Sequence, residues 1–216
     1  GPDGHSLWPA FTNVPNEFLE SYFPLRIDIY ETIPDSGGAG LHRGGNALRV
    51  GYRFLEPGTI SIHDDRWLTY PWGVNGGSPG ARSRKLLMRA DGSEEILSSK
   101  CDNVAVAAGD LLYFDTWGGG GWGDPLQRPA EQVLFDVNAG LVTAEGARRY
   151  GVVVIEANGN ATLDATATEA LREELAQQRS ECLLFDFGGS IDELKQRCAA
   201  ETGLTAPTTP VFQKWA

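Results

Sequence analysis

The chain has 216 residues, is 41% hydrophobic and carries a formal net charge of −11, with a pI near 4.7. Such a length and apolar content support one large domain or a domain with a helical appendix, while the acidic balance opposes general affinity for nucleic acid or anionic membrane, both of which call for clustered Lys and Arg. No apolar run reaches the ~20 residues of a membrane span, and no basic-then-apolar signal opens the chain, so a cytoplasmic location is the expectation.

From residue 24 to residue 114, short strand-like runs are separated by Gly, Pro and Asp clusters. Residues 25–31 alternate apolar and polar side chains and predict a half-buried antiparallel strand. Residues 47–55 alternate likewise, Glu56-Pro57-Gly58 turns the chain and residues 59–63 resume it, which predicts a hairpin. Residues 85–89 and 95–97 flank Ala90-Asp91-Gly92-Ser93, where Asp-Gly is the favoured signal of a two-residue hairpin turn. At least six strands are expected in this region. After Pro125 the period lengthens: residues 130–137 have helical spacing and Asn138-Ala139-Gly140 is a stop. Residues 143–149 predict a short helix capped by Thr143, residues 152–155 a strand or buried extended run, and residues 165–179 a longer helix. Ser190 and Glu193 form a capping-box pattern opening another helix, and the Pro- and Thr-rich tail from Thr205 is expected to extend over a neighbour. The fold class is therefore α+β: a β-rich antiparallel domain, sandwich or barrel-like, over residues 1–125, then a helical region and extended tail over residues 126–216.

Four consecutive glycines, Gly118 to Gly121, stand between Trp117 and Trp122. A linker would have Ser and Gly neighbours, but residues 111–114 run into the glycines as an apolar strand, and two tryptophans are too large and apolar to leave in solvent without purpose. An ordered loop with a close backbone approach is the reading that fits. A phosphate cradle is disfavoured, because the loop lacks the Lys-Ser/Thr of a P-loop and the G-x-G-x-x-G spacing before a helix. Residues 71–80 form a second glycine-rich loop around Trp72, and two such loops can pack together to line a pocket or an interface. A third cluster, residues 35–40, precedes His42-Arg43-Gly44-Gly45-Asn46, and there an anion nest competes with ordinary tight turns.

Ile62-His63-Asp64-Asp65-Arg66-Trp67 concentrates a histidine, two carboxylates and an arginine at a strand end. Arg66 can hold a substrate carboxylate bidentately and Asp64 can tune His63 as an acid or base; an Asp–Arg pair fixing a turn is the competing structural role. Cys101, Cys182 and Cys198 lack C-x-x-C spacing and read as buried, reduced thiols. His5, His42 and His63 lie on separate segments, so a self-contained metal site is not expected. There is no G-x-S-x-G elbow. The only methionine is Met88, from which the chain is expected to start at an internal point of a larger functional unit.

One ordered set of motifs is more specific than any single member: Thr12-Asn13-Val14-Pro15 with Glu17 and Glu20, Tyr22-Phe23-Pro24-Leu25-Arg26, Asp35-Ser36-Gly37-Gly38-Ala39-Gly40, Arg43-Gly44-Gly45, Asp65-Arg66, Pro71-Trp72-Gly73 with Gly76-Gly77-Ser78-Pro79-Gly80, and Gly118 through Pro125. In that order these resemble the C-terminal part of the hydantoinase B/oxoprolinase family, over about residues 4–154. The resemblance implies a multi-subunit, ATP-dependent enzyme in which an A-type subunit of actin-like ATPase fold phosphorylates a cyclic amide and the B-type part completes ring opening of a hydantoin, 5-oxoproline or lactam. Related complexes carboxylate acetone or acetophenone instead. Family B chains are much longer, and their metal-binding His and Asp residues lie in an N-terminal part that has no counterpart here. The resemblance thus implies a split subunit, a cleavage product or a domain, with ATP, Mg and a divalent metal on partner chains, a hetero-oligomer as the assembly and an isolated chain without activity. Within that frame the candidate catalytic residues are His63, Asp65 and Arg66, and the candidate substrate-binding residues are Trp72, Gly76, Gly77, Gly119, Gly120 and Trp122, with no metal ligand assigned. A non-catalytic assembly module, with the tryptophan loops buried in an interface, is the alternative of another class.

Overall fold

The computed structural model describes residues 14–178 and 182–207. Helix α1 (Asn16–Tyr22) leads into eight strands: β1 (Leu25–Thr32), β2 (Leu48–Phe54), β3 (Gly58–His63), β4 (Gly73–Val74), β5 (Arg84–Met88), β6 (Glu94–Ile96), β7 (Lys100–Val106) and β8 (Leu111–Asp115). Five of them form one sheet in the order β1-β2-β8-β5-β6, with every pair antiparallel. Arg49 and Asp115 lie opposite each other on β2 and β8 and close a bidentate pair at 2.7 Å, the geometry that makes a half-buried ion pair favourable. β1 is an edge strand, which is why it is only partly buried along its length.

The strand positions follow the alternation, but one predicted pairing does not form. β2 and β3 are not a hairpin: β3 pairs with β7 as a separate two-stranded ribbon. Both edges of β2 are already taken by β1 and β8, so the turn at Glu56-Pro57 hands the chain from the sheet to the ribbon. Phe54, Leu87 and Leu112 of the sheet meet Ile62 and Val106 of the ribbon, with Leu97, in one buried cluster, and each such side chain contributes roughly 1.5–3 kcal/mol on burial. The β5–β6 hairpin forms as expected, with a longer turn. Arg89 donates to the Ser93 carbonyl at 2.8 Å around Ala90-Asp91-Gly92, a three-residue loop in which Gly92 takes the left-handed position, φ +86°.

Beyond residue 125 come α2 (Ala130–Asn138), α3 (Ala144–Ala147), the hairpin of β9 (Val154–Ala157) with β10 (Asn160–Leu163), α4 (Ala165–Gln178), β11 (Phe185–Asp186) and α5 (Ile191–Thr202). Local chemistry sets the ends. Thr143 accepts from the Gly146 amide at 2.8 Å, Ser190 and Glu193 close a reciprocal capping box, and Gly140 and Gly203 carry left-handed φ past α2 and α5. A second core joins Val133, Val137, Val142, Ala147, Tyr150, Val152 and Ala161 to Ala39 of the first glycine cluster. The final helix folds back onto the β-rich part: Glu201 receives Arg82 and Arg84, Arg197 reaches the Tyr70 hydroxyl at 3.2 Å, and β11 pairs antiparallel with β4. Of the cysteines only Cys198 is buried; Cys182 is exposed, because it precedes β11 on the outer surface, and Cys101 is intermediate. His5, Thr12, Asn13 and the tail beyond Pro207 lie outside the described residues.

Candidate functional site

The glycine clusters are not separate loops. Backbone runs 36–46, 71–81 and 116–123 lie against one another and exchange main-chain hydrogen bonds: Gly38 to Gly119, Gly119 to Gly45, Gly121 to Ser78, Val74 to Gly121 and Ser78 to Ala39, all between 2.7 and 2.9 Å. Separation is set by peptide against peptide, with no room for side chains. A Cβ placed on Gly44 would stand 2.1 Å from the Gly119 carbonyl oxygen, on Gly77 2.2 Å from that of Gly121, and on Gly120 1.8 Å from that of Trp72. In the first cluster the amides of Asp35, Ser36 and Gly38 donate to backbone carbonyls and that of Gly37 to the Asn46 side chain, so these four are engaged within the protein and do not form an anion nest. At the end of β4, Asn75 and Gly76 both carry positive φ, 50° and 88°, and Gly77 donates back to Val74 at 3.0 Å, a tight reversal that a residue with a Cβ resists at the second position.

The bundle thereby brings together most of the sequence-predicted binding residues. Gly76, Gly77, Gly119 and Gly120 supply its framework, and Trp72 and Trp122 stand on its surface, each half-exposed. Trp122 is tied to His42 by two backbone hydrogen bonds of 2.9 and 3.0 Å, with the two rings 5.5 Å apart. Arg66, itself at φ 57°, sets its guanidinium 5.4 Å from the centre of the Trp72 ring, a cation–π contact of ~0.5–2 kcal/mol. No carboxylate among the described residues pairs with Arg66, so its planar fork of donors is open to an anion.

The remaining predicted catalytic residues turn elsewhere. His63 faces Asp102 at 3.1 Å, both side chains in solvent, and that bond holds the Asp102 carboxyl below its usual range. The expected tuning of His63 by Asp64 does not occur, because Asp64 points the other way, into the protein. There it accepts from Lys85 and from Ser83, all three being buried. Burial pushes the Lys85 amine down, and Asp64 opposes that shift. Asp65 is exposed, 3.5 Å from Lys100. His63, Asp65 and Arg66 therefore share a chain segment but not a common partner. Among the described residues no three His, Cys, Asp or Glu side chains gather as a metal site, so the donor set does not fit a complete metal centre.

Sequence reasoning missed two members of this region. Phe187 packs edge-on against Trp72, 5.4 Å between centres at 89°, and Phe185 lies 6.2 Å away. The signal was present in the short apolar run Leu183-Leu184-Phe185 ending at Gly188-Gly189. The buried Lys85 was read only as a strand residue, since alternation does not distinguish a buried ammonium from an exposed one.

The interlocked glycine runs thus frame a surface corner at which the part-buried Arg66 meets the half-exposed Trp72. The hydantoinase B/oxoprolinase family model matches residues 1–125, and the chain belongs to that family. It is 37% identical over 161 residues to an uncharacterized protein of Methanocaldococcus jannaschii, covering 74% of this chain and 28% of that protein. It is 36% identical over 167 residues to the caprolactamase beta subunit of Pseudomonas jessenii, covering 72% of this chain and 27% of that relative. The crystal structure of the ATP-dependent caprolactamase from that organism aligns with a TM-score of 0.59 at 35% identity, over 73% of this chain and 28% of the other. A nucleotide-free acetone carboxylase structure shares the fold, with a TM-score of 0.65 at 21% identity over 89% of this chain and 29% of its own. The chain thus spans less than a third of the length of these relatives. Among the described residues no helix is long and apolar enough to cross a membrane.

Proposed function

We propose that this chain supplies the C-terminal portion of the B-type half of an ATP-dependent complex that opens a cyclic amide, a hydantoin, 5-oxoproline or lactam, after an A-type ATPase of actin-like fold has phosphorylated the amide oxygen. The observation that carries the reading is the 36% identity to a caprolactamase beta subunit, supported by 32% identity over 180 residues to the putative B component of a D-/L-hydantoinase; identity to the acetone carboxylase alpha subunit is lower, at 27%. Phosphorylation makes an unreactive bond labile, and the intermediate must be kept from water until attacked. In this reading Arg66 holds an anionic group of the substrate or intermediate, Trp72 and Trp122 form the apolar wall, and the glycine framework fixes both. His63, paired with Asp102, and Asp65, beside Lys100, face solvent on the chain segment that carries Arg66 and stand outside this pocket.

The test combines this chain with the A-type subunit and the N-terminal B-type part and follows ATP-dependent ring opening of caprolactam, hydantoin and 5-oxoproline. Activity is expected only from the full mixture. Turnover by this chain alone would refute the reading, and activity requiring bicarbonate and a ketone would replace hydrolysis with carboxylation. A second reading, an assembly module without chemistry, is favoured by the construction of the glycine runs as a packed framework. Trp122→Ala separates the two: lost turnover in an intact complex supports a pocket, whereas lost assembly supports the module.

A further inference from the structure

Short backbone pairings join four segments into a small ladder at the surface. Phe185 of β11 stands opposite Val74 of β4, Val74 opposite Trp122 in the parallel sense, and Trp122 opposite His42 in the antiparallel sense. Residues opposite one another across a ladder carry their side chains on the same face, so Phe185, Val74, Trp122 and His42 form one row. The rings agree with that placement: His42 and Trp122 are 5.5 Å apart, and Trp72, two residues before Val74, lies 6.2 Å from Phe185. Arg66 rests against Trp72. The row is therefore continuous with the Arg66–Trp72 corner, and His42 is its other end.

His42 is exposed yet fixed in position. Its amide and carbonyl bond to Trp122 at 2.9 and 3.0 Å, and the flanking Gly121 and Gly123 amides bond to Ser78 and Val74, both at 2.9 Å. Among the described residues no carboxylate pairs with its ring. The charged neighbours in sequence turn away from it: Arg43 packs inward, 3.6 Å from Asp136, and Asp124 accepts from the Leu126 amide at 2.7 Å. An imidazole left in that state can accept a proton on one nitrogen and release it again. His63, by contrast, lies on the β3–β7 ribbon and is engaged by Asp102.

We infer that His42, at the end of the tryptophan wall, is the catalytic residue that moves the proton during ring opening. The inference rests on the proposed function. A substrate seated on the Trp122 ring lies beside the imidazole, while its anionic group is held toward Arg66. The oxygen of a water bonds to the activated amide carbon, the C=N electron pair moves to nitrogen, and the water proton passes through His42 to that nitrogen. The remaining hydroxyl proton then follows the same route as the carbonyl forms and the C–N pair leaves with nitrogen, which opens the ring and returns His42 to its neutral form. Proton transfer by a side chain positioned in this way is worth about 10²–10⁴ in rate.

The experiment measures ATP-dependent opening of caprolactam, hydantoin and 5-oxoproline by the complex of this chain with the A-type subunit and the N-terminal B-type part. His42→Phe keeps a ring beside Trp122 but moves no proton, His42→Gln keeps a hydrogen-bonding side chain, and His42→Ala leaves room for added imidazole. Urea midpoints and sedimentation check folding and assembly, which the exposed position of His42 leaves intact. The expected result is a loss of kcat of about a hundredfold or more in all three variants, with partial rescue of His42→Ala alone by imidazole. KM is expected to stay within about threefold of the wild type, since the interaction lost is made in the transition state and not in substrate binding. A His42→Phe complex that turns over as fast as the wild type, or a His42→Ala defect that imidazole leaves unchanged, overturns the role of His42 while the proposed function stands. A wild-type complex that opens none of the three rings overturns the proposed function, and this inference with it.

Discussion

Gly120→Ala puts the backbone packing of the glycine framework to its sharpest test. The new methyl would sit 1.8 Å from the Trp72 carbonyl oxygen and 2.6 Å from its carbon, whereas non-bonded heavy atoms rest near 3.5 Å. One of the two runs must retreat by well over an ångström. That separates the Gly121–Ser78 and Val74–Gly121 hydrogen bonds, now both 2.9 Å, at roughly 1 kcal/mol each, and adds overpacking of about 1–3 kcal/mol. The sum, about 3–5 kcal/mol, is a large fraction of the stability of an ordinary domain. Gly58→Ala is the control, since its Cβ would meet only the Val106 side chain, at 4.0 Å. In urea, with a slope of about 1–3 kcal/mol/M, Gly120→Ala is expected to lower the midpoint by roughly 2 M and Gly58→Ala by little. Equal midpoints for the two variants would show that the runs can part freely, and would refute close backbone packing as the reason for the glycines.

The buried Lys85–Asp64 pair gives a second expectation: Lys85→Ala leaves the buried Asp64 carboxylate without its cation, with the Ser83 hydroxyl as its remaining side-chain donor, and costs about 3–5 kcal/mol, while Lys85→Met with Asp64→Leu costs less than the sum of the two single changes, as a thermal-melt double-mutant cycle will read. A third concerns acid. Burial alone would raise Asp110, but the amides of Ala107 and Ala90 together with Arg89 outweigh it and hold the folded carboxyl below its ordinary value. The unfolded carboxyl protonates near pH 4, so Asp110 contributes fully above that pH and its contribution drains as pH falls toward the depressed folded value. Asp110→Ala should therefore lower stability at pH 7 and flatten the loss below about pH 4; an unchanged acid profile would remove Asp110 from the account.

What the sequence made legible were features written in nearest neighbours. The Ser190–Glu193 box, the Thr143 cap and the Asp91-Gly92 turn each depend on a few consecutive residues, and all three form. The ordering of the four glycines was also legible, from the apolar strand that enters them and the tryptophans that bracket them. Their partners were not, because a glycine has no side chain through which alternation or charge could name what it touches. The β2–β3 pairing failed for a related reason: residues 47–63 state which faces are apolar but not that β1 and β8, from distant segments, occupy both edges of β2. At the site, Arg66 and Trp72 were each chosen from the sequence, yet their contact, and the orientation of Asp64 away from His63, are properties of the turn at Asp65-Arg66. Phe187 reaches Trp72 only because the chain returns from more than a hundred residues away.

A region held by peptide hydrogen bonds also responds to temperature differently from an oily core. Exposing apolar surface raises the heat capacity by about 0.45 cal/K/mol/Å², and exposing polar surface lowers it by about 0.26. Opening the clusters around Leu87 and Val133 is of the first kind, and parting the glycine runs is weighted toward the second. The two cores therefore lose driving force on cooling, while the glycine framework keeps its cohesion in the cold.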